Sequence, residues 1–261
     1  MSEKILATSG ALALAAALTL SASAATLFHE DFNAADLDEI WKLDHNGGGG
    51  TGPPEWVHEN GIISQIEPKP GDPTYAIILG EGWPESYGMV AKVRLDDWED
   101  HDRSRAGVGF WLDPVSFEGY TWLIHERLVA TNMEFLNDAR AWAGGEETYE
   151  VALGQWYWIK AFIDADTGDF LGKIWDAEED EHNPSTTNEP ADWLGAIQYA
   201  DVGGIRPPTS FAGLNGGAGQ GAGHSTASVD DVFVFDIDGP APLAVDANGK
   251  ASTTWGALKS R

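Results

Sequence analysis

The apolar residues of this chain come in short runs, and this limits the folds open to it more than any other feature. The runs are rich in β-branched and aromatic residues and are separated by Gly, Pro, Asn and Asp, a pattern typical of many strands. The clearest strand candidates are TLFHEDF, GIISQI, YAIIL, GMVAKVRL, AGVGFWLD, GYTWLIHE, NMEFL, QWYWIKAFID, FLGKIWD and SVDDVFVFD, and only EPADWLGAI suggests a short helix. We therefore predict an all-β protein.

Two runs indicate how their strands are placed. In GMVAKVRL the apolar positions 89, 91, 93 and 95 alternate with Lys92 and Arg94, which predicts one face in the core and one in solvent. WYWIKAFID is apolar on both faces apart from Lys160, so we expect it in the interior of its sheet, since such a run would aggregate at an edge.

Both ends of the chain differ from the rest in composition and in hydropathy pattern. Residues 1–25 carry Lys4, the apolar run ALALAAALTL and a small-residue Ala22-Ser23-Ala24 site, which together predict a cleaved export signal. Residues 240–261 begin with a Pro-rich linker and lack strand alternation, which predicts a linker and tail. We expect residues 26–239 to form one β domain, a size that all-β domains commonly reach.

Charge and composition exclude some partners. The formal net charge of -27 and the absence of cysteine describe an acidic protein that gains its stability from burial alone. Such a charge repels nucleic acid, whose binding requires Lys and Arg to neutralise phosphates. No apolar stretch after the export signal is long enough to cross a membrane. We expect a secreted protein, periplasmic or extracellular, without a transmembrane segment or a nucleic-acid partner, and its oligomeric state stays open.

Three loops have recognisable turn chemistry. DADTGDF places Thr167 and Gly168 between two strand runs and predicts a hairpin. Its aspartates do not match a calcium loop, because the glycine comes too early and position twelve is Trp175 instead of Glu. NGGGGTGPP and LNGGAGQGAGHS predict long glycine-rich loops, and neither has the signature of a phosphate-binding loop.

The order of several landmarks resembles a known superfamily. FHEDFNAADLDEIWKLDHNG with WVHENGIIS, then GQWYWIKAFIDADTGDFLGKIWDAEED with NEPADW, and finally ASVDDVFVFD resemble concanavalin A-like, laminin-G-type jelly rolls, close to the bacterial 3-keto-disaccharide hydrolase domain. The resemblance covers about residues 26–238. It implies a two-sheet antiparallel jelly-roll sandwich, adjacent first and last strands, and a sugar on the concave face or rim.

The same resemblance implies one structural Ca²⁺ where the two chain ends meet. By matching position, its candidate ligands are Glu30, Asp31 and Asp231, to be completed by carbonyl oxygens and water. In the alternative interpretation, Asp230 and Asp231 cap the last strand and accept hydrogen bonds from loop amides without a metal.

No catalytic signature is present in the sequence. The E-x-D-x-x-E strand motif of one hydrolase branch is absent, and AEEDEHN comes nearest but fits an acidic surface loop better. No Ser-His-Asp order, no H-E-x-x-H motif and no cysteine nucleophile is found. Catalysis is therefore unsupported by the sequence, although carboxylates from different strands can converge without a linear motif.

Sugar binding has better support, because tryptophans stand beside carboxylates in neighbouring strand runs. In AGVGFWLD, alternation puts Gly107, Gly109 and Trp111 on one face, which predicts a shallow trough. The predicted glycan-binding residues are Trp111, Trp122, Glu126, Glu134, Arg140 and Trp142. Core packing is the competing interpretation for each tryptophan.

Three functions from different classes are compatible with these observations. The first is a non-catalytic, lectin-like carbohydrate-binding protein. The second is a glycan-active hydrolase of the 3-keto-disaccharide hydrolase or glucanase type. The third is a structural surface or matrix protein, which needs no groove.

Overall fold

The computed structural model describes residues 26–34, 36–37, 40–44, 56–66, 74–79, 83–98, 104–114, 119–127, 130–137, 141–184, 188–198, 211–218 and 225–237. The predicted export signal and the predicted linker and tail lie outside these ranges. No helix in the described ranges has the length and apolarity needed to cross a membrane.

Fifteen strands and no α-helix make up the regular structure of the described residues, which confirms the all-β prediction. The strands are β1 (Thr26–Glu30), β2 (Trp41–Asp44), β3 (Trp56–Glu59), β4 (Ile62–Gln65), β5 (Thr74–Ile78), β6 (Tyr87–Trp98), β7 (Ser104–Leu112), β8 (Tyr120–Arg127), β9 (Ala130–Asn137), β10 (Ala141–Thr148), β11 (Tyr157–Ile163), β12 (Asp169–Asp176), β13 (Gly195–Gln198), β14 (Phe211–Ala218) and β15 (Ser225–Phe235).

The strands form two antiparallel sheets. One sheet has eight strands in the order β13-β12-β11-β6-β15-β4-β3, with β1 also paired to β15, and the other has seven in the order β10-β9-β8-β7-β14-β5-β2. The first and last strands are adjacent as predicted, with Glu30 opposite Val232. The run WYWIKAFID lies in the interior of its sheet, since β11 pairs with both β12 and β6.

The main core lies between the sheets and contains the inward faces of both. Met89, Ala91, Val93 and Leu95 of β6 all belong to it, as the alternation predicted. The opposite face of β6 was expected in solvent, but Lys92 is completely buried. Residues 177–184 and 188–194, here called the covering segment, account for this difference. Lys92 Nζ donates to the backbone oxygens of Glu179 at 2.6 Å and Glu181 at 2.9 Å.

Charged contacts hold the other end of the covering segment. Glu189 Oε1 lies 2.9 Å from Lys160 Nζ and 2.5 Å from Lys173 Nζ, and Lys173 Nζ also donates to the Pro190 oxygen. Beneath the segment, the outer face of the eight-stranded sheet carries a second apolar cluster that includes Trp158 and Phe233. Carbonyl oxygens and the carboxylates of Glu189 and Asp230 replace the water that the buried lysine ammonium groups lose.

Two sequence predictions about local structure were wrong. EPADWLGAI is not helical, because its last residues form β13, in which Gly195 pairs with Gly172. LNGGAGQGAGHS is not loop throughout, since its first five residues lie in β14. Glycine fits there because a Cβ on the neighbouring Gly213 would come within 2.7 Å of the Ala76 oxygen.

The DADTGDF hairpin was predicted correctly: Asp164 Oδ1 accepts from Asp166 N, and Gly168 has a φ of 78°.

Among the irregularities in strand register, one in β7 and one in β15 change the faces of residues in the predicted sites. In β7, the register shifts opposite β14 and Trp111 has a φ of 50°; in β15, it shifts between Asp230 and Val232, and Asp231 has a φ of 33°. A bulge inserts one extra residue and changes the face to which the following side chains point. Both positions bear on the predicted sites.

Candidate functional site

A group of polar side chains is buried on the outer face of the seven-stranded sheet. Arg105, Thr121, His125 and Glu134 each expose 5% or less of their surface. Their neighbours Ala106, Ile124 and Phe135, like Tyr120 and Trp122 beside Thr121, belong to the core between the sheets. Because alternate residues of a strand point to opposite faces, the polar side chains project away from that core.

Three adjacent strands position this group. Arg105 of β7 lies opposite His125 of β8, and Glu134 of β9 lies opposite Leu123 of β8. His125 Nδ1 and Glu134 Oε2 are 3.4 Å apart, a diagonal contact across the β8–β9 pair. Thr121 Oγ1 is buried without a hydrogen-bond partner among the described residues. The group combines a guanidinium, an imidazole, a carboxylate and a hydroxyl, which can both donate and accept hydrogen bonds.

The predicted aromatic trough is wrong for two of its tryptophans. Trp111 is 1% exposed and Trp122 is fully buried, and both belong to the core between the sheets. The β7 bulge turns Trp111 inward beside Phe110, whereas unbroken alternation would have turned it outward. Trp122 lies on the core face because its register partner is Phe135. Neither indole is available to stack on a sugar in this structure.

The remaining predicted glycan-binding residues are only partly described. Glu134 lies on the outer face, and the sheet separates it from Trp122, with which it was predicted to share a trough. Glu126 of β8 pairs with Thr131 of β9, and Trp142 of β10 pairs with Leu136 of β9. The side chains of Glu126 and Trp142 lie outside the described part of the chain. Arg140 lies outside the described residues altogether. These three stay predictions.

The structure does not bring the three predicted calcium ligands together. Glu30 Oε1 accepts from Phe32 N at 2.9 Å, and Asp31 Oδ1 accepts from Asn33 N at 3.1 Å. Partial burial opposes the change, but the hydrogen bonds from Asn33 lower the pKa of Asp31 below its usual value. Asp231 instead contacts two histidines. The two histidine nitrogens beside the Asp231 carboxylate do not suit Ca²⁺, which prefers oxygen ligands alone.

Asp231 lies in a cluster formed by β15, β1 and the covering segment. Its Oδ2 is 2.7 Å from His182 Nδ1, and its Oδ1 is 3.4 Å from His29 Nε2. Within the described residues, His182, Asp230 and Asp231 form the only group of three metal-type ligands whose atoms lie within 4.8 Å of one another. The two adjacent aspartates thus reach the same outer face, because the bulge at Asp231 interrupts the alternation.

Burial and charge act together on Asp230. Its carboxylate lies 3.5 Å from Lys92 Nζ, and its Oδ1 accepts from Asp231 N at 2.8 Å. Burial raises the pKa of Asp230, and the neighbouring charge of Asp231 raises it further, against the opposing effect of Lys92. A second cation near both carboxylates would relieve this repulsion.

Sequence reasoning missed several of these residues. Arg105 and His125 were not among the predicted site residues, and His29 and His182 lie too far from Asp231 in sequence for any spacing rule. One signal was present: Val229, Val232 and Val234 are all core residues, and a spacing of three followed by two requires a bulge between the aspartates.

Comparison with solved structures identifies the fold. Lectin II from Ulex europaeus matches with a TM-score of 0.53 at 10% identity, covering 80% of this chain and 97% of that chain. A lectin from Bauhinia forficata in complex with GalNAc matches with a TM-score of 0.52 at 7% identity, covering 82% and 98%. Bacteroides ovatus xyloglucan PUL GH43B matches with a TM-score of 0.51 at 14% identity, covering 79% of this chain but 38% of that chain.

These likenesses show a concanavalin A-like jelly roll, as the sequence resemblance implied. Identities of this size establish the fold and not the activity. No protein-family model and no curated protein matches the sequence.

Proposed function

We propose that this chain is a secreted, lectin-like carbohydrate-binding protein whose glycan site lies on the outer face of the seven-stranded sheet. The observation that carries the proposal is the buried polar group of Arg105, Thr121, His125 and Glu134, contributed by three adjacent strands. Removing such side chains from water is costly unless they are paired, so a cluster of them on one sheet face is typical of a binding site.

The chemistry of the group suits a sugar. Ring hydroxyls both donate and accept hydrogen bonds, and they are complemented by a guanidinium donor, a carboxylate acceptor and an imidazole that can do either. Thr121 adds a hydroxyl for which the described residues provide no partner. Support from the fold is by analogy: one protein of the same architecture is a lectin in complex with GalNAc.

A hydrolase is the second candidate, and the contact between His125 and Glu134 is the observation that favours it. Retaining glycoside hydrolysis needs two carboxyl groups about 5 to 5.5 Å apart. Glu134 supplies one such carboxyl group on the outer face of the seven-stranded sheet. The proposal therefore includes a hydrolysis assay on every glycan that binds.

The location and the calcium requirement are separate parts of the proposal. Export rests on residues 1–25, and cleavage after Ala24 or Ala25 should be visible in the mass of the mature protein. The structural Ca²⁺ stays a prediction from the resemblance, and Glu30, Asp31 and Asp231 do not provide its ligand set in this structure.

A glycan array with the mature protein tests the binding site. Thr121→Val removes a hydroxyl without changing the shape of the side chain, and Glu134→Gln removes one charge. We expect each to weaken binding of the best glycan by roughly tenfold or more, the loss of one or two hydrogen bonds. Thr148→Val, the same change at an exposed position of β10, is the matched control and should bind normally.

The melting temperature of each variant separates loss of binding from loss of fold. Retained affinity in both Thr121→Val and Glu134→Gln would place the site elsewhere. Absence of binding to any glycan would favour the structural-protein alternative.

A further inference from the structure

We propose that His182, Asp230 and Asp231 form a binding site for a divalent transition-metal ion of the Zn²⁺ type. The site lies on the outer face of the eight-stranded sheet, so it is independent of the proposed glycan site. It joins the last strand to the covering segment, with the first strand alongside.

The distances fit a small ion with nitrogen and oxygen ligands. His182 Nδ1 lies 2.7 Å from Asp231 Oδ2 and 3.7 Å from Asp230 Oδ2. Ligand atoms around tetrahedral Zn²⁺ are roughly 3.3 Å apart, given bonds of about 2.0 to 2.2 Å. His182 Nδ1 and Asp231 Oδ2 are already within hydrogen-bond distance at 2.7 Å, so they have only to move slightly apart to admit an ion between them.

The surroundings orient the ligands and leave the ion a route from solvent. The ring of His29 stacks on Phe233 with centroids 4.1 Å apart, and its Nε2 faces Asp231 Oδ1, the oxygen that does not contact His182. The backbone N–H of Asp231 donates to Asp230 Oδ1 and so holds that carboxylate in place. In contrast, 61% of the His182 side chain is exposed. His29 is thus a positioning residue, and water would complete the coordination on the exposed side.

The charges around the site favour a divalent cation. Asp230 and Asp231 contribute two negative charges and Lys92 contributes one positive charge, which leaves one net negative charge. Lys92 does not fill the site itself, because its ammonium donates to the oxygens of Glu179 and Glu181. An imidazole ligand selects transition metals, whereas Ca²⁺ prefers six to eight oxygens.

The test measures binding of ZnCl₂ and CaCl₂ to the chelator-treated full chain by calorimetry, with metal analysis after dialysis. We expect one Zn²⁺ per chain, a raised melting temperature with Zn²⁺, and no such rise with equal Ca²⁺. Co²⁺ should give visible absorption bands typical of a low-coordinate nitrogen and oxygen site.

Variants distinguish a built site from general attraction to an acidic surface. His182→Gln should fold normally because the side chain is exposed, and it should weaken Zn²⁺ binding by more than about 100-fold. His29→Gln should weaken it by about tenfold and change the Co²⁺ spectrum. Asp180→Asn removes an exposed carboxylate of the same segment and should leave binding unchanged.

Three results would overturn the proposal. They are stoichiometric Ca²⁺ binding at this site in preference to Zn²⁺, absence of Zn²⁺ binding to the folded chain, and equal Zn²⁺ affinity in His182→Gln and the unmodified protein.

Discussion

The indole of Trp122, carried by the seven-stranded sheet, packs against Gly172 of the eight-stranded sheet, where an added Cβ would come within 2.3 Å of the ring. Gly195 on the next strand makes the same kind of contact at 2.4 Å. Trp122 Nε1 also donates to the Lys173 oxygen at 3.3 Å. Gly172 and Gly195 therefore form the recess in which the eight-stranded sheet receives the Trp122 indole of the other sheet.

Gly172→Ala should be strongly destabilising, because its methyl group meets a rigid, fully buried ring. We expect a loss of about 3 kcal/mol in the free energy of unfolding, at the upper end of the range for overpacked cores. Gly216→Ala is the matched control in another strand, since its Cβ would be 3.4 Å from the nearest atom. Urea denaturation of both variants measures the difference, and equal stability would contradict the packing described.

Trp111→Ala tests the core position of this tryptophan against its predicted role as a sugar platform. Loss of a fully buried indole should cost about 3 to 5 kcal/mol in unfolding free energy. A surface platform would lose binding with little change in stability. Leu153→Ala, at a side chain that is 43% exposed, should change stability by less than about 1 kcal/mol. Chemical denaturation followed by tryptophan fluorescence gives both values.

Tyr87→Phe should weaken the bulge that turns Trp111 inward. The Tyr87 hydroxyl accepts from Trp111 N at 2.9 Å and donates to the Phe211 oxygen at 3.1 Å. Phenylalanine fills the same space but leaves the buried Trp111 N–H without this acceptor, which should cost about 1 to 3 kcal/mol. Amide hydrogen exchange at Trp111 should accelerate, and unchanged exchange would show that the hydroxyl does not hold the bulge.

Glu189→Gln should change how stability depends on pH. Partial burial alone would raise the pKa of Glu189, but the hydrogen bonds and charges of Lys173 and Lys160 outweigh it and lower the pKa below the ordinary value of about 4.3. A carboxyl group whose pKa is lower in the folded state than in the unfolded state stabilises the fold. This stabilisation is complete above the unfolded-state pKa, and it is lost as the pH falls through the folded-state pKa.

In Glu189→Gln this contribution should be missing at pH 7, which should lower the free energy of unfolding by about 2 kcal/mol. The loss is smaller than for a fully buried ion pair because the Glu189 side chain is partly exposed to solvent. The stability gap between the variant and the unmodified protein should begin to narrow as the pH falls below about 4.3, and it should close below the folded-state pKa of Glu189. Melting temperatures measured from pH 3 to 8 give both curves. A constant gap between them across this range would disprove the proposed role of the carboxylate.

Lys92→Met should release the covering segment near Glu179 and Glu181. The change removes the two hydrogen bonds to their backbone oxygens and leaves Asp230 without its cation. We expect a loss of about 3 kcal/mol and faster proteolysis between residues 177 and 184. A glutamate-specific protease followed by mass spectrometry locates the cuts, and Lys42→Met serves as a control at a half-buried lysine on the other sheet.

The architecture could be predicted from the sequence because short apolar runs alternate with turn residues, and all ten predicted runs overlap strands. Strands such as β2 and β13 were missed because only four residues of each are in the ladder. The strand β14 was missed because its glycines are selected by close backbone contacts, which belong to the tertiary structure.

The site was harder to predict because it depends on register. A single extra residue in β7 turns the Trp111 side chain to the core face of the sheet, and no local sequence pattern predicted this bulge. The predicted Glu134 lies on the outer face, but its neighbours Arg105 and His125 come from strands whose pairing the sequence did not specify. In β15 the irregular valine spacing did mark the bulge, although it did not reveal the histidines that meet Asp231.

The position of β15 in its sheet sets an order on folding. This strand, at residues 225–235, lies between β6 on one side and β1 and β4 on the other. Strand β1 and the β3–β4 hairpin therefore cannot join the rest of the eight-stranded sheet until residues 225–235 have been synthesised. Pairing across about 200 residues makes this topology slow to assemble, because the long intervening loop must close before these strands can form their ladder.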